Sequence, residues 1–394
     1  MRILLIGTGA VGEAIALVAQ RRPWLEHIVL ADYNLERAQQ VRARSPRPDA
    51  VAVEQIDASD TARVAGLARK HRSDLIMNAV SNIYNDSIFD AAYEAGCNYI
   101  DMAMSDTGAS MGSHQFGQAA GWEQKGLLAI LGMGMDPGVS DVFAKYAEKH
   151  LFDEIDEIGI RDGAALVVEG HDFAPTFSIL DTLEECTDPA LIWERAKGWY
   201  TVEPFSEPEM FDFPEGVGPL KCVHIEHEEV VLVPRWVKCR RVTFKYGLDD
   251  QFINIIRAIK ALGLERADPV NVKGVWVAPR DVVAACLPEP ASLGNQMKGK
   301  TCVGTWVTGT KAGKPRQVFL YQVMDNSFSM QKYGCQAVAL QTGIGPVVAM
   351  ELIATGAWKG KGVLGPEAFD PDPFLALMPD LDLPSGMVEM GETR

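Results

Sequence analysis

An α/β fold is predicted for this chain: a doubly wound parallel sheet with an α+β substrate domain inserted into it. Three observations carry the prediction. Short apolar runs alternate with helical patterns in units of roughly 25 residues over the first third of the chain, as parallel sheets with crossover helices require. The first run, Arg2 to Ile6, leads into Gly7-Thr8-Gly9-Ala10-Val11-Gly12 and then a helix. From about residue 153 the pattern turns alternating and β-rich, which marks a second domain.

The glycine turn has a specific use. Gly7 allows a tight turn, Gly9 lets backbone approach a pyrophosphate, and Gly12 lets helix and strand pack closely; Ala10 and Val11 open the helix whose free N–H groups face the phosphates. The second run, HIVLAD, ends at Asp32, 20 positions after Gly12, where a carboxylate can accept from a ribose 2′-OH. This is the Rossmann dinucleotide fingerprint. A carboxylate at that point repels a 2′-phosphate, and Tyr33-Asn34 adds no cation, although Arg37 is close in sequence; NAD is therefore expected over NADP.

A third run, AVAVEQID, ends in Asp57-Ala58, where the adenine is expected to lie. The fourth, DLIMNAV, ends in Ala79-Val80-Ser81, small residues that admit a nicotinamide ribose, and the fifth, NYIDMAM, contributes Asp101. GLLAILGMGM (126 to 135) is read as a sixth strand. Asp136 and Pro137 then fit the N-cap and first position of a helix with apolar residues at 139, 142, 143, 146 and 147. Asp136 and Asp141 thus fall at the carboxyl end of a parallel strand, where ligands bind in open α/β sheets.

In the second domain the runs around 153 to 163, CVHIEHEEVVLVP (222 to 234) and RRVTFKYG (240 to 247) read as strands. A hairpin is expected around Lys311-Ala312-Gly313-Lys314, and Asp250 to Leu262 is an amphipathic helix. The resulting boundaries are 1–134 for dinucleotide binding, 135–340 for the substrate and dimerisation domain, and 341–394 for C-terminal helices returning to the first domain.

Composition narrows the function classes. The 394 residues are 47% hydrophobic, ample for buried cores, and carry 37 Lys and Arg against 53 Asp and Glu, a formal charge of −16. That balance opposes nucleic-acid or anionic-membrane binding and favours a cationic substrate. Seven cysteines lie scattered with no C-x-x-C pair, which points away from a metal site and toward a reducing, cytoplasmic setting. No signal-peptide pattern is read at the N-terminus, and the longest uncharged stretch, Tyr333 to Met350, is too polar and glycine-rich to be expected in a membrane.

Several segments together resemble the saccharopine dehydrogenase-like family, most closely its carboxynorspermidine (carboxyspermidine) dehydrogenase branch. They are GMDPGVSDVFAKYAEKHLFDEI (134 to 155), DFPEGVGP (212 to 219), HEE (227 to 229), LPEPASLG (287 to 294), KGKTCVG (298 to 304), KAGKPRQVFLYQV (311 to 323) and EAFDPDPF (367 to 374). The resemblance implies a Rossmann domain completed by C-terminal helices, a homodimer, and NAD(P)-dependent chemistry on a carbon–nitrogen bond through an imine. Its small-molecule partners are an amine or amino acid and a carbonyl compound. The Asp32 strand end departs from the NADP-type pattern of the polyamine branch and is shared with lysine 6-dehydrogenase, a relative whose oxidative deamination is one alternative. A noncatalytic NAD-binding sensor is another.

Such chemistry needs a nicotinamide face, anchors for substrate charges and a proton-handling group. A substrate carboxylate would suit the forks of Arg161, Arg235, Arg240 or Arg241 or the ammonium of Lys245, and a second amine would suit an acid such as Glu228. On a strand running from 222 to 233, His224, Glu226 and Glu228 share one face and His227 the other, with Val231 and Val233 toward the core. His171, in Gly170-His171-Asp172-Phe173-Ala174, is the expected proton-transfer residue because it matches a histidine near a Phe-Ala pair in the polyamine branch; Asp136 is the second catalytic candidate. His224 and His227 are spaced for a metal only on a helix, so no metal is assigned.

Overall fold

The computed structural model describes residues 1–105 and 110–391. The chain forms two compact units, one of Met1–Lys149, Arg235–Val237 and Ala339–Ser385, the other of His150–Pro234, Lys238–Val338 and Gly386–Arg394.

The first unit starts with six strands: β1 (Arg2–Ile6), β2 (His27–Asp32), β3 (Val51–Gln55), β4 (Leu75–Asn78), β5 (Asn98–Ile100) and β6 (Leu128–Ile130). Leu4, Ile28, Ile76 and Ile130 are fully buried, as expected for strands covered by helices on both faces. The chain next builds the second unit: β7 (Glu154–Val168), β8 (Ala190–Glu194), β9 (Gly198–Val202), β10 (Glu209–Phe213), β11 (Gly218–His224), β12 (Arg241–Gly247), the small hairpin β13 (Val270–Val272) and β14 (Val275–Val277), and the long hairpin β15 (Met297–Lys311) and β16 (Lys314–Asp325). Lys311 faces Lys314 across that hairpin's turn, where Ala312 and Gly313 take φ of 50° and 74°. Finally β17 (Gly362–Leu364) returns to the first sheet and β18 (Ser385–Glu389) to the second.

The first sheet is parallel throughout, in the order β17-β6-β5-β4-β1-β2-β3. The chain runs outward from β1 to β3 and then crosses back to β4, so the switch point lies between β1 and β4. The 19-residue helix Ala337–Thr355 completes this unit. Long and apolar enough to cross a membrane, it is instead mostly buried in protein. Its Gly343 lets it approach the helix Ala10–Ala19, since a Cβ there would lie 3.0 Å from that of Ala14.

The second sheet runs β10-β11-β12-β7-β15-β16-β18, with β8 on β12 and β9 on β8. One of its faces holds a core of Phe211, Phe213, Cys222, Cys302, Phe319 and Tyr321.

Three sequence expectations need correction. The run 222 to 234 is not one strand: β11 stops at His224, and Glu229–Trp236 is a helix. Asp136 is not an N-cap, because the helix Val139–Tyr146 starts from Gly138, whose φ of 135° and ψ of −86° suit glycine. The C-terminal segment does not return whole to the first unit, because Gly386–Arg394 belongs to the second.

Candidate functional site

The cofactor candidates gather at the carboxyl ends of β1, β2 and β4. Gly7 takes φ of 94°, and a Cβ on it would lie 2.5 Å from Ala79 O and 2.6 Å from Val80 Cγ1, so it wedges β1 against the end of β4. A Cβ on Gly12 would lie 2.1 Å from Gly7 O. One on Gly9 would meet nothing within 4 Å: here bare backbone faces open space, as a cradle for a pyrophosphate needs. The residues present therefore fit a dinucleotide, with Ala10 and Val11 at the helix start.

Asp32 is 8% exposed and held by three donors. Its Oδ2 accepts from Thr8 N and Thr8 Oγ1, both at 2.7 Å, and its Oδ1 accepts from Asn34 N at 2.8 Å. Arg37 donates to Thr8 O at 2.9 Å and to Glu13 Oε2 at 2.5 Å, and Arg44 pairs with the other Glu13 oxygen. The two cations nearest the turn are thus engaged by the buried Glu13. Of the remaining candidates, Asp57 is exposed and accepts from Ser59 N and Oγ, which hold its carboxyl below the usual range. Ala58 O accepts from Ser87 Oγ at 2.6 Å, and Ser81 precedes the turn Asn82–Tyr84. Asp101 is buried and ties strand ends together, accepting from Gly132 N and Gln115 Nε2, both at 2.7 Å.

Asp136 lies in a tight loop closed by Gly134 N donating to Pro137 O at 2.7 Å. Asp141, fully buried, accepts from Gly138 N at 2.7 Å and so caps its own helix. Arg235 belongs to the same unit; its guanidinium lies 3.8 Å from the Phe116 ring centroid and faces Glu367.

The second unit divides the remaining substrate candidates between two sheet faces. On one face Arg161, 2% exposed, donates to Glu209 Oε1 at 2.6 Å, and Lys245 donates to Glu209 Oε2 at 2.9 Å. Burial pushes the Glu209 carboxyl up, but Arg161 and Lys245 outweigh it and hold it below the usual range. Arg161 also donates to Ile160 O at 2.8 Å and Lys245 to Glu207 O at 2.7 Å, so both cations are engaged within the protein. Arg240 pairs with the exposed Asp156, and Arg241 lies 3.7 Å from both Glu157 and Glu207.

On the other face, set by the alternation of Phe244 and Lys245 along β12, the His227 ring stacks on Phe244 with centroids 3.8 Å apart and planes within 4°. His227 Nδ1 makes a short hydrogen bond to Glu229 and lies 3.4 Å from Glu228 Oε2. These donor atoms fall within 4.8 Å of one another. In the structure Nδ1 and the Glu229 carboxylate form an imidazole–carboxylate pair. Glu185, on the helix Ile179–Thr187, is held well above the usual carboxyl range by burial. Sequence reasoning passed over it, since nothing in ILDTLEECT sets it apart from its neighbours. His171 lies on an exposed turn after β7, with Nε2 3.1 Å from Gln296 Oε1, and among the described residues no carboxylate orients it in the manner of Glu229 at His227.

Two family models cover nearly the whole chain: the saccharopine dehydrogenase NADP binding domain matches residues 3–130 and the saccharopine dehydrogenase C-terminal domain residues 134–381. Carboxynorspermidine synthase of Vibrio alginolyticus is 33% identical over 399 residues, 97% of this chain and 96% of that one. Carboxyaminopropylagmatine dehydrogenase of Synechocystis is 31% identical over 389 residues, 97% and 96% of the two chains. Among solved structures, saccharopine dehydrogenase (L-Glu forming) of Saccharomyces cerevisiae superposes with a TM-score of 0.72 at 13% identity, covering 99% of this chain and 100% of that one, a likeness of fold.

Proposed function

The chain belongs to the saccharopine dehydrogenase family and is an NAD(P)-dependent oxidoreductase; from that premise we propose that it joins a polyamine-type amine to a carbonyl compound by reducing the imine between them, with NAD(H) as the preferred cofactor. The relatives named for carboxynorspermidine and for carboxyaminopropylagmatine, alike over almost their full lengths, support this amine class. The acidic net charge of −16 favours a cationic substrate at long range.

The observation that carries the cofactor reading is the Asp32 carboxylate. Three donors fix it at the end of β2. With only one donor on Oδ1 among the described residues, that oxygen keeps capacity to accept from a ribose hydroxyl. A 2′-phosphate would meet this fixed charge while Arg37 and Arg44 are drawn to Glu13. The bound nicotinamide would supply the hydride that reduces the imine carbon. The chain's own work is positioning: Gly9 and the helix start would receive the pyrophosphate and Asp32 the ribose. Asp136 remains a candidate for catalysis, and Asp141, Arg161, Arg235, Lys245 and Glu228 remain candidates for the substrate side, Asp141 acting through the shape of its loop.

The test is steady-state turnover of NADH and NADPH with agmatine, diaminopropane or lysine as amine and a panel of aldehydes as partner, set beside NAD reduction by lysine alone. Consumption of NADH that needs both amine and aldehyde supports the reading. NAD reduction by lysine alone would replace it with oxidative deamination, and cofactor binding without turnover in any mixture would leave a sensor.

A further inference from the structure

His227 is built differently from the chain's other histidines. The loop before it is pinned by Glu226 N donating to Glu185 O at 3.2 Å. The helix after it starts at once, with Val231 N and Leu232 N donating to Glu228 O at 2.8 and 3.0 Å. Glu228 and Glu229 therefore sit at a helix N-terminus, where the backbone dipole favours carboxylates. The Phe244 ring fixes the plane of the imidazole, and Glu229 fixes its rotation through Nδ1. The residue is 6% exposed, yet among the described residues Nε2 has no hydrogen-bond partner. A ring held on one face and at one nitrogen, with the other nitrogen left over, is an arrangement suited to moving a proton.

Resting on the imine chemistry proposed above, we propose that Nε2 of His227 is the proton-transfer group of that reaction and that Glu229 is its positioning residue. In the carbinolamine formed from amine and carbonyl compound, Nε2–H gives its proton to the hydroxyl oxygen. The C–O bond breaks, the nitrogen lone pair forms C=N, and water leaves. His227 is then neutral, with Nδ1–H still donating to Glu229. In the reverse direction neutral Nε2 takes the proton from water as its oxygen adds to the iminium carbon.

The surrounding charges suit that cycle. Burial pushes the imidazolium down, but Glu229 and Glu228 outweigh it and hold His227 well above the ordinary histidine range. Asp162 on β7 and Asp181 on the helix of Glu185 face the same cluster.

The experiment compares the full-length wild type with H227Q and E229Q in the amine–aldehyde assay across pH, with NADH affinity and melting temperature measured for each. H227Q is expected to lower kcat by about 10²- to 10⁴-fold, to leave NADH affinity unchanged and to lose the fall in activity that wild type shows as His227 deprotonates. E229Q is expected to keep that fall but move it to lower pH, because removing the carboxylate lowers the imidazole pKa. An H227Q enzyme within about threefold of wild-type kcat with the same pH profile overturns the proposal; so does a pH profile left unmoved by E229Q, which decides the matter should H227Q not fold. Wild type inactive on every amine–aldehyde pair sinks the underlying function instead, and is recognised by the control before any variant is compared.

Discussion

On the reading proposed above, Asp32 serves the fold and the cofactor with one carboxylate. Its Oδ2 closes the glycine turn through Thr8, and Oδ1 accepts from Asn34 N. Asp32→Ala is therefore expected to loosen the turn as well as remove the charge, so NAD affinity falls while the NAD/NADP preference narrows by roughly tenfold, about 1.4 kcal/mol. Adding Glu13→Gln should narrow it further, since Arg37 and Arg44 lose their shared anion. Turnover ratios with the two reduced cofactors check this, and a ratio unmoved in the double variant removes Asp32 from cofactor choice. This part of the site was legible in the sequence because backbone geometry dictates it: Gly7 and Gly12 have no room for a Cβ. His227 was legible only as a residue type. Its meaning depends on Glu229 and Phe244, one on the following helix and the other on a neighbouring strand, and period-two counting turned it toward the core.

At the scale of elements, the segment 222 to 236 shows why that counting failed. Ile225, His227, Val231 and Val233 would share one face of a strand, yet Glu228-Glu229 followed by Val-Val-Leu-Val is also a helix start with acids in its first turn. The helix is realised, with Glu229 bonding His227 beside Phe244 on β12. The loop of Asp136 was misread for a related reason. Asp-Pro ahead of an apolar period resembles a cap, but Gly138 supplies the conformation that starts the helix, and Asp141 caps it from within. A Cβ on Gly138 would lie 2.4 Å from Gly134 O, at a φ no other residue adopts readily. Gly138→Ala is expected to cost about 1–3 kcal/mol from backbone strain alone, with the clash adding to it. Chemical denaturation measures the loss. A midpoint within error of wild type would mean that the loop rearranges at no cost.

For the whole molecule, the two sheets follow from different parts of the sequence. The first six strands of the first sheet were readable because each run ends at a recognisable turn, whereas β17 lies in a segment read as C-terminal helices, and the second sheet has a parallel pair, β12 on β7, that no local pattern announces. Its last strand comes from the end of the chain. Gly386 lets β18 lie against the Tyr321 ring, where a Cβ would sit 2.3 Å from Cζ, while Val388 and Met390 pack against the Phe211–Phe319 core. Glu389 binds Arg316, and Met390 N donates to Gln317 O at 2.9 Å. Removing Gly386–Arg394 should uncover the β16 edge and that core, lowering the melting temperature of the second unit by roughly 5 °C or more for a loss of one to two kcal/mol. The first unit keeps every strand of its sheet and all the residues that cradle the dinucleotide, so NADH affinity should stay within about twofold of wild type, a shift under ~0.5 kcal/mol. Calorimetry and cofactor titration of the truncated chain read the two effects separately. Loss of both together would mean that the dinucleotide site depends on a strand its own unit does not contain.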